Sequence, residues 1–565
     1  MTNLISYLLN FLIISSIITG TVFAKNIKNI KNLIDDENDQ EIDKRENDQK
    51  YPVILLRPDE QHRVFQLNVQ VGSPPQNLTL RLDIGSGDVW LPAEENFSIC
   101  SPSTTSSAAA PTTSDSSKDE TRVLSIDASE SIDHSSATSV LYADNVCASL
   151  GVYDMEDSNS GSYYNVGESL SVGKTTNGST ESFKVLPSFI YLSGHYAEDN
   201  FSFPMVLNAH LTDIKGENFV FIDVNNSIVS TGGLGVGIST IGSNFIDLFI
   251  EQGIVDSNSY SLVLNGKDAI YGELIIGAVR NTDFTDSFIE FDFVPMIIEG
   301  LDYNSYGLAA SYSNEMPIIA ISGFGVSSSA TNRTVEFSNN YNDELYSGSY
   351  PKPIVLDSRS YYNYIPYSTL IDMAVELNAY YAEALDRWVL DCNVGDLGTI
   401  DFHFGNYTIN IPISEFLTPA YGNNTDTQLQ FDNGDNACIL SFLPDYYHGF
   451  SMFGSTFLRG VVLAVDNENK KIALGRLNPY RIVYAPQHPN AVFNDTDASE
   501  IAAIDYQNGL STVAMGNGSI PFATRNDIAN YSDITFTYNT KTVGATEANY
   551  SAVTAFISEG EIFVA

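Results

Sequence analysis

Cysteine, histidine and positive charge are all scarce in this chain. Four cysteines occur in 565 residues, at Cys100, Cys147, Cys392 and Cys438. There is no Cys-x-x-Cys pair, and the seven histidines are scattered; no metal or other cofactor is expected, because a metal centre needs clustered N and S ligands. Lys and Arg number 27 against 70 Asp and Glu, giving a formal charge of -43. Phosphate is repelled by such a chain, which excludes a general nucleic-acid or anionic-membrane binder and leaves cationic partners open. Long apolar runs are also missing, except at the start.

That exception, "LISYLLNFLIISSIITGTVFA", ends in the small-residue site Val22-Phe23-Ala24. Residues 1–24 are expected to be a cleaved secretory signal, leaving no transmembrane segment in the mature chain. The polar stretch 25–45 has no apolar periodicity and is expected to be a propeptide, with the dibasic pair Lys44-Arg45 as its processing site. In a secreted chain an even number of cysteines suggests two disulfides. Three connectivities are open, and the local pairing 100–147 and 392–438 is the simplest. Asn-x-Ser/Thr sequons recur from Asn77 to Asn549, as in a heavily glycosylated protein. The end, "SAVTAFISEGEIFVA", lacks the apolar tail of a GPI signal. A soluble monomer, extracellular or in a cell wall, is the expected product.

From about residue 50 the texture is that of strands. "VFQLNVQVG" alternates, "LTLRLDIG" runs apolar, and "GSPPQN" between them is a turn signal. Similar short segments recur to "KKIALGRL", with helical spacing only in brief stretches such as 367–381 and 242–254. The Ser/Thr/Ala/Pro-rich segment within 101–146 is expected to be a surface insert. The organisation expected is an N-terminal lobe over 51–290, a C-terminal lobe over 291–485 and a polar tail over 486–565.

One cassette occurs twice. "LDIGSGDVWLP" (82–92) and "LDSRSYYNYIP" (356–366) both begin Leu-Asp, carry Ser three residues after the Asp, and end aromatic–aliphatic–Pro. Two similar β-rich lobes, each supplying one aspartate to a shared site, explain the repeat. Two carboxylates held close together share a proton, and the pair can then activate water and polarise an amide carbonyl.

"FQLNVQVGSPPQNLTLRLDIGSGDVWLP", "GGLGVG" (232–237) and "FSMFGSTFLRGVVLAVDNENKKIALGRLN" resemble the pepsin-like aspartic proteases, fungal yapsins among them. The resemblance runs from Val64 to Asn478. It implies a mainly β, bilobal fold with a cleft between the lobes, and an endopeptidase cutting peptides or proteins, with basic residues as one preference. On that match Asp83 and Asp357 are the catalytic pair. Gly85, Ser86, Ser358 and Ser360 support them, with Ser86 hydrogen-bonding Asp83, and Trp90 packs behind the flap. "SFIYLSGHYAEDN" (188–200) is similar to the flap hairpin, with Tyr191 as its tyrosine and Gly194 as its turn glycine. "VLDC" and "ACIL" imply the disulfide Cys392–Cys438.

The motifs also depart from the family, which has a hydroxyl residue and then glycine after each aspartate. Ile84 replaces the first hydroxyl and Arg359 the second glycine, and Tyr361 adds bulk where a small hydroxyl residue is usual. An inward Arg359 favours ionised carboxylates and opposes proton sharing; an outward one costs only local geometry. The same fold acting as a binding glycoprotein, weakened or inactive in catalysis, is therefore the second expectation.

Overall fold

A computed structural model of the chain describes residues 51–93, 152–293, 317–337 and 350–480. Exceptions within these are 60–62, 186–189, 208–209, 226–230, 240–243, 330–331, 383–384, 386, 422–427, 432–433 and 446–450; beyond them, 498–501, 506–508, 557–558 and 561–562 are described. The expected signal, propeptide and insert, with Lys44, Arg45, Cys100 and Cys147, lie outside the described residues. Among the described residues no helix is long and apolar enough to cross a membrane.

The N-terminal half is a strand succession: β1 (Val53–Pro58), β2 (Phe65–Val71), β3 (Gln76–Asp83), β4 (Trp90–Pro92), β5 (Ser162–Asn165), β6 (Leu170–Gly173), β7 (Thr180–Val185), β8 (Ile190–Leu207), β9 (His210–Val224) and β10 (Gly232–Gly235). The short helix α1 (Asp247–Glu251) precedes β11 (Ser259–Val263), β12 (Gly272–Ile276), β13 (Ala278–Arg280) and β14 (Phe284–Asp292). Period-two burial shows in β2, where Phe65, Leu67, Val69 and Val71 are buried and the residues between them are not. β11 and β12 are buried on both faces, as befits apolar runs inside a sheet.

The C-terminal half holds β15 (Ile318–Ile321), β16 (Gly323–Ser328), β17 (Arg333–Phe337), β18 (Lys352–Leu356), β19 (Asn363–Ile365), α2 (Tyr367–Glu376), β20 (Tyr380–Ala382), β21 (Arg387–Asp391), β22 (Gly398–Phe404), β23 (Tyr407–Pro412), β24 (Leu417–Pro419), β25 (Ala437–Leu440), β26 (Phe442–Pro444) and β27 (Met452–Phe453). The helix α3 (Ser455–Leu458) leads into β28 (Val461–Asp466) and β29 (Lys471–Leu477). These form smaller sheets, ordered β15-β18-β27-β19-β26, β17-β16-β22-β23 and β20-β21-β25-β24. The architecture is the mainly β, bilobal one expected. The disulfide Cys392–Cys438 ties the end of β21 to β25.

Two boundaries differ from the sequence-based division. β28 and β29 pair with β11 and β14 in one 16-stranded sheet, so the last strands of the expected C-terminal lobe complete the N-terminal sheet. The expected tail is also partly built in. β30 (Ala498–Glu500) pairs with β13, β31 (Tyr506–Asn508) pairs with β14, and Ile501 is buried beside them. Neither segment has a strand-like pattern of its own; pairing with an existing edge makes it a strand.

Candidate active site

The two cassettes fold alike. β3 pairs in parallel with β10, β10 antiparallel with β4, and β4 in parallel with β9. In the other half β18, β27, β19 and β26 repeat those three relations in the same order. Trp90 therefore has Tyr364 as its counterpart, each opposite the strand that crosses behind its aspartate: Trp90 faces Gly233, and Tyr364 faces Met452. Gly233 is obligatory, since a Cβ there would lie 2.2 Å from Nε1 of the Trp90 indole. Loop contacts repeat as well. Gly237 N–H donates to Ser86 O (2.8 Å), and Ser455 N–H donates to Ser360 O (2.7 Å).

Asp83 and Asp357 stand at the ends of β3 and β18, both buried. Each accepts the amide two residues on, from Gly85 at 3.0 Å and from Arg359 at 2.8 Å. Ser86 and Ser360 also serve the carboxylates, through their backbone amides. Their hydroxyls point elsewhere: Ser86 Oγ accepts from Asp88 N–H (3.2 Å), and Ser360 Oγ donates to Tyr362 O (2.9 Å).

Ser358 joins the halves. Its hydroxyl accepts from Ile84 N–H at 3.1 Å and donates to Leu82 O at 2.7 Å. The counterpart Ile84 offers no hydroxyl and is buried in the main core, so this side-chain link between the loops runs one way.

Burial dominates the electrostatics. It pushes the Asp357 carboxyl up to about 7, with the Asp83 charge adding to the rise; the amides of Arg359 and Ser360 and the Arg359 guanidinium oppose it. Asp83 is raised by burial too, against the Arg359 guanidinium and the amides of Gly85 and Ser86. The pair is thus electrostatically coupled and holds a proton in acid solution, the state that water activation requires.

Arg359 turns inward. It is 7% exposed, and its guanidinium carbon lies 5.0 Å from the centroid of the Trp90 ring, so a side chain of the second cassette stacks on an indole of the first. The guanidinium lowers both carboxyls without cancelling burial. Tyr361 turns away from the carboxylates: its hydroxyl meets Thr418, and Arg63 and Arg459 lie over its ring, each 5.8 Å away.

The flap expectation needs correction. Gly194 is not at a turn; it sits inside β8, opposite Glu181 of β7 and Val224 of β9. Its reason is close packing, since a Cβ would lie 2.2 Å from Asp223 O. Tyr191 is opposite Lys184 in the same hairpin, near its end at Val185 and Ile190. Trp90 does pack against this hairpin, in a cluster with Leu192, Tyr196, Ile222 and Val224.

Sequence reasoning missed Asn363, which organises the second loop. Its Nδ2 donates to Thr456 Oγ1 (2.7 Å) and its Oδ1 accepts from Gly454 N–H (3.0 Å). The signal was a polar residue inside the second cassette, where the first has Val89.

Comparison with known proteins agrees with this geometry. The family described as "Eukaryotic aspartyl protease" matches residues 65–477. Among similar proteins, aspartic proteinase yapsin-7 of Saccharomyces cerevisiae is 29% identical over 287 residues, 46% of this chain and 45% of that protein. The chain thus spans less than half of that relative. Aspartic proteinase 3 of the same yeast is 24% identical over 500 residues, 80% of this chain and 76% of its own length. Candidapepsin-3 of Candida albicans is 23% identical over 438 residues, 76% and 82% of the two chains. The family match spans most of the chain, and its limits enclose both cassettes and the strands that pair them: the chain belongs to the eukaryotic aspartyl protease family.

Proposed function

We propose that the protein is a secreted, yapsin-like aspartic endopeptidase that hydrolyses peptide bonds in acid solution through Asp83 and Asp357. The observation that carries this reading is the Ser358 bridge, which holds the two aspartate loops in register across 274 residues of sequence. Asp357 carries the shared proton and polarises the scissile carbonyl. Asp83, whose carboxyl the Arg359 guanidinium holds down against burial, takes a proton from the attacking water. Collapse of the resulting diol returns a proton to the amide nitrogen and releases two peptides, without a covalent intermediate. The signal 1–24 directs secretion, processing at Lys44-Arg45 yields the mature form, and the sequons make it a glycoprotein. The acidic surface draws cationic polypeptides at long range.

A second reading, a binding protein that keeps the fold and has lost the chemistry, is favoured by the inward Arg359 together with Ile84. One experiment separates the two. Protein processed after Arg45 is incubated with a peptide library at pH 3–6 beside an Asp83→Asn variant. The endopeptidase reading expects cleavage by the first and at least a ~1000-fold loss in the second. Equal residual rates leave only the binding reading.

A further inference from the structure

Positive charge near the second cassette is mostly answered. Arg459 forms an ion pair with Glu415 at 3.5 Å and donates to the Glu415 carbonyl. Arg359 differs. Among the described residues no carboxylate forms an ion pair with it, and its Nη1 has no hydrogen-bond partner although the side chain is more than nine-tenths buried. A buried guanidinium is costly without an anion, and stacking on Trp90 answers only part of that cost.

The geometry of the stack says what is left over. A guanidinium on an indole uses its face, while its N–H donors point outward in its own plane. Arg359 thus places an unpartnered donor, Nη1, at the junction of the two halves, carried by one cassette and lying over the indole of the other. The charge of Arg359 acts on both nearby aspartates, yet among the described residues neither forms an ion pair or hydrogen bond with its guanidinium, and Asp357 Oδ2 is left without a partner as Arg359 Nη1 is. A planar anion fits an open guanidinium edge best, because two parallel charge-assisted hydrogen bonds form at once.

We infer that Arg359 is a specificity-determining residue that recognises an acidic side chain of the peptide bound beside Asp83 and Asp357. This rests on reading the cleft as a peptide site. It opposes the preference for basic residues expected from net charge alone, because a Lys or Arg side chain at that position meets a fixed cation. Long-range attraction of cationic chains and local selection of an acidic residue act at different distances and coexist.

The test uses the full processed protein at about pH 5.5, where a peptide Asp is ionised. Matched peptides carry Asp, Asn or Lys at successive positions around one cleavable bond, each also made with that bond reduced and uncleavable. Binding of the reduced set is measured by isothermal titration, and cleavage of the other set as kcat/KM. At one position Asp is expected to exceed Asn by about tenfold, with Lys weakest. The ratio falls to about one in Arg359→Gln and is partly kept in Arg359→Lys. Equal binding of Asp and Asn peptides to the unaltered protein overturns the inference, as does an Asp preference that survives in Arg359→Gln. The comparison on the unaltered protein stands even if the Gln variant fails to fold. Discrimination in binding without any cleavage supports the inference and removes the endopeptidase reading; cleavage without discrimination does the reverse.

Discussion

Ile84 and Ser358 follow equivalent aspartates and do opposite work, one filling core and the other bridging the loops. Removing the Ser358 hydroxyl leaves a buried amide and a buried carbonyl unpaired, and each such group costs about 1–3 kcal/mol. Ser358→Ala is therefore expected to lower unfolding free energy by about that amount or more in a urea titration, and to reduce turnover further by loosening the aspartates. A variant with unchanged stability would mean that water or a shifted loop replaces the bridge. Asn363 is a comparable case in which one polar side chain holds a loop by bonds at both its amide atoms.

Elements show where sequence reading succeeds and where it stops. The duplicated cassette was legible because a strand, an aspartate and a crossing partner recur with the same residue types, and the pairings reproduce that repeat strand for strand. The hairpin of β7 and β8 was misread because glycine signals two different needs. At Gly194 the need is room against the Asp223 carbonyl rather than a turn. The direction of Arg359 was not legible at all, since it depends on an indole 269 positions away in the chain (359 minus 90). β30 and β31 escaped for a related reason: their strand character comes from β13 and β14, not from their own pattern. Deleting residues from 498 onward is expected to remove the buried Ile501, to uncover Val279, Phe288 and the β14 edge, and to cost about 1–3 kcal/mol, seen as a lower thermal midpoint. An unchanged midpoint would make these strands dispensable ornaments of the sheet.

For the molecule as a whole, burying two carboxyls makes stability depend on pH. Asp357 has an ordinary carboxyl value of 3.8 when unfolded and about 7 when folded. Below about pH 4 both states hold the proton and the fold bears no penalty. Between there and pH 7 the unfolded chain gives up the proton first, so stability falls as pH rises and levels off above about 7. Asp83, also raised, acts in the same direction. Thermal midpoints are expected to fall from pH 4 to pH 7, and more gently in Asp357→Asn; equal slopes would assign the trend to other groups.

The shared sheet also has a consequence in time. Asp292 and Lys471 are partners across β14 and β29, yet 179 residues separate them in the chain. A ribosome makes the first aspartate loop early, but the strands that close the sheet beneath it are among the last of the family region to emerge. Until then β11 and β14 wait with open edges, although Asp357, the opposite number of Asp83, has already been made. The order of synthesis thus makes both carboxylates before the sheet that carries the first of them is closed.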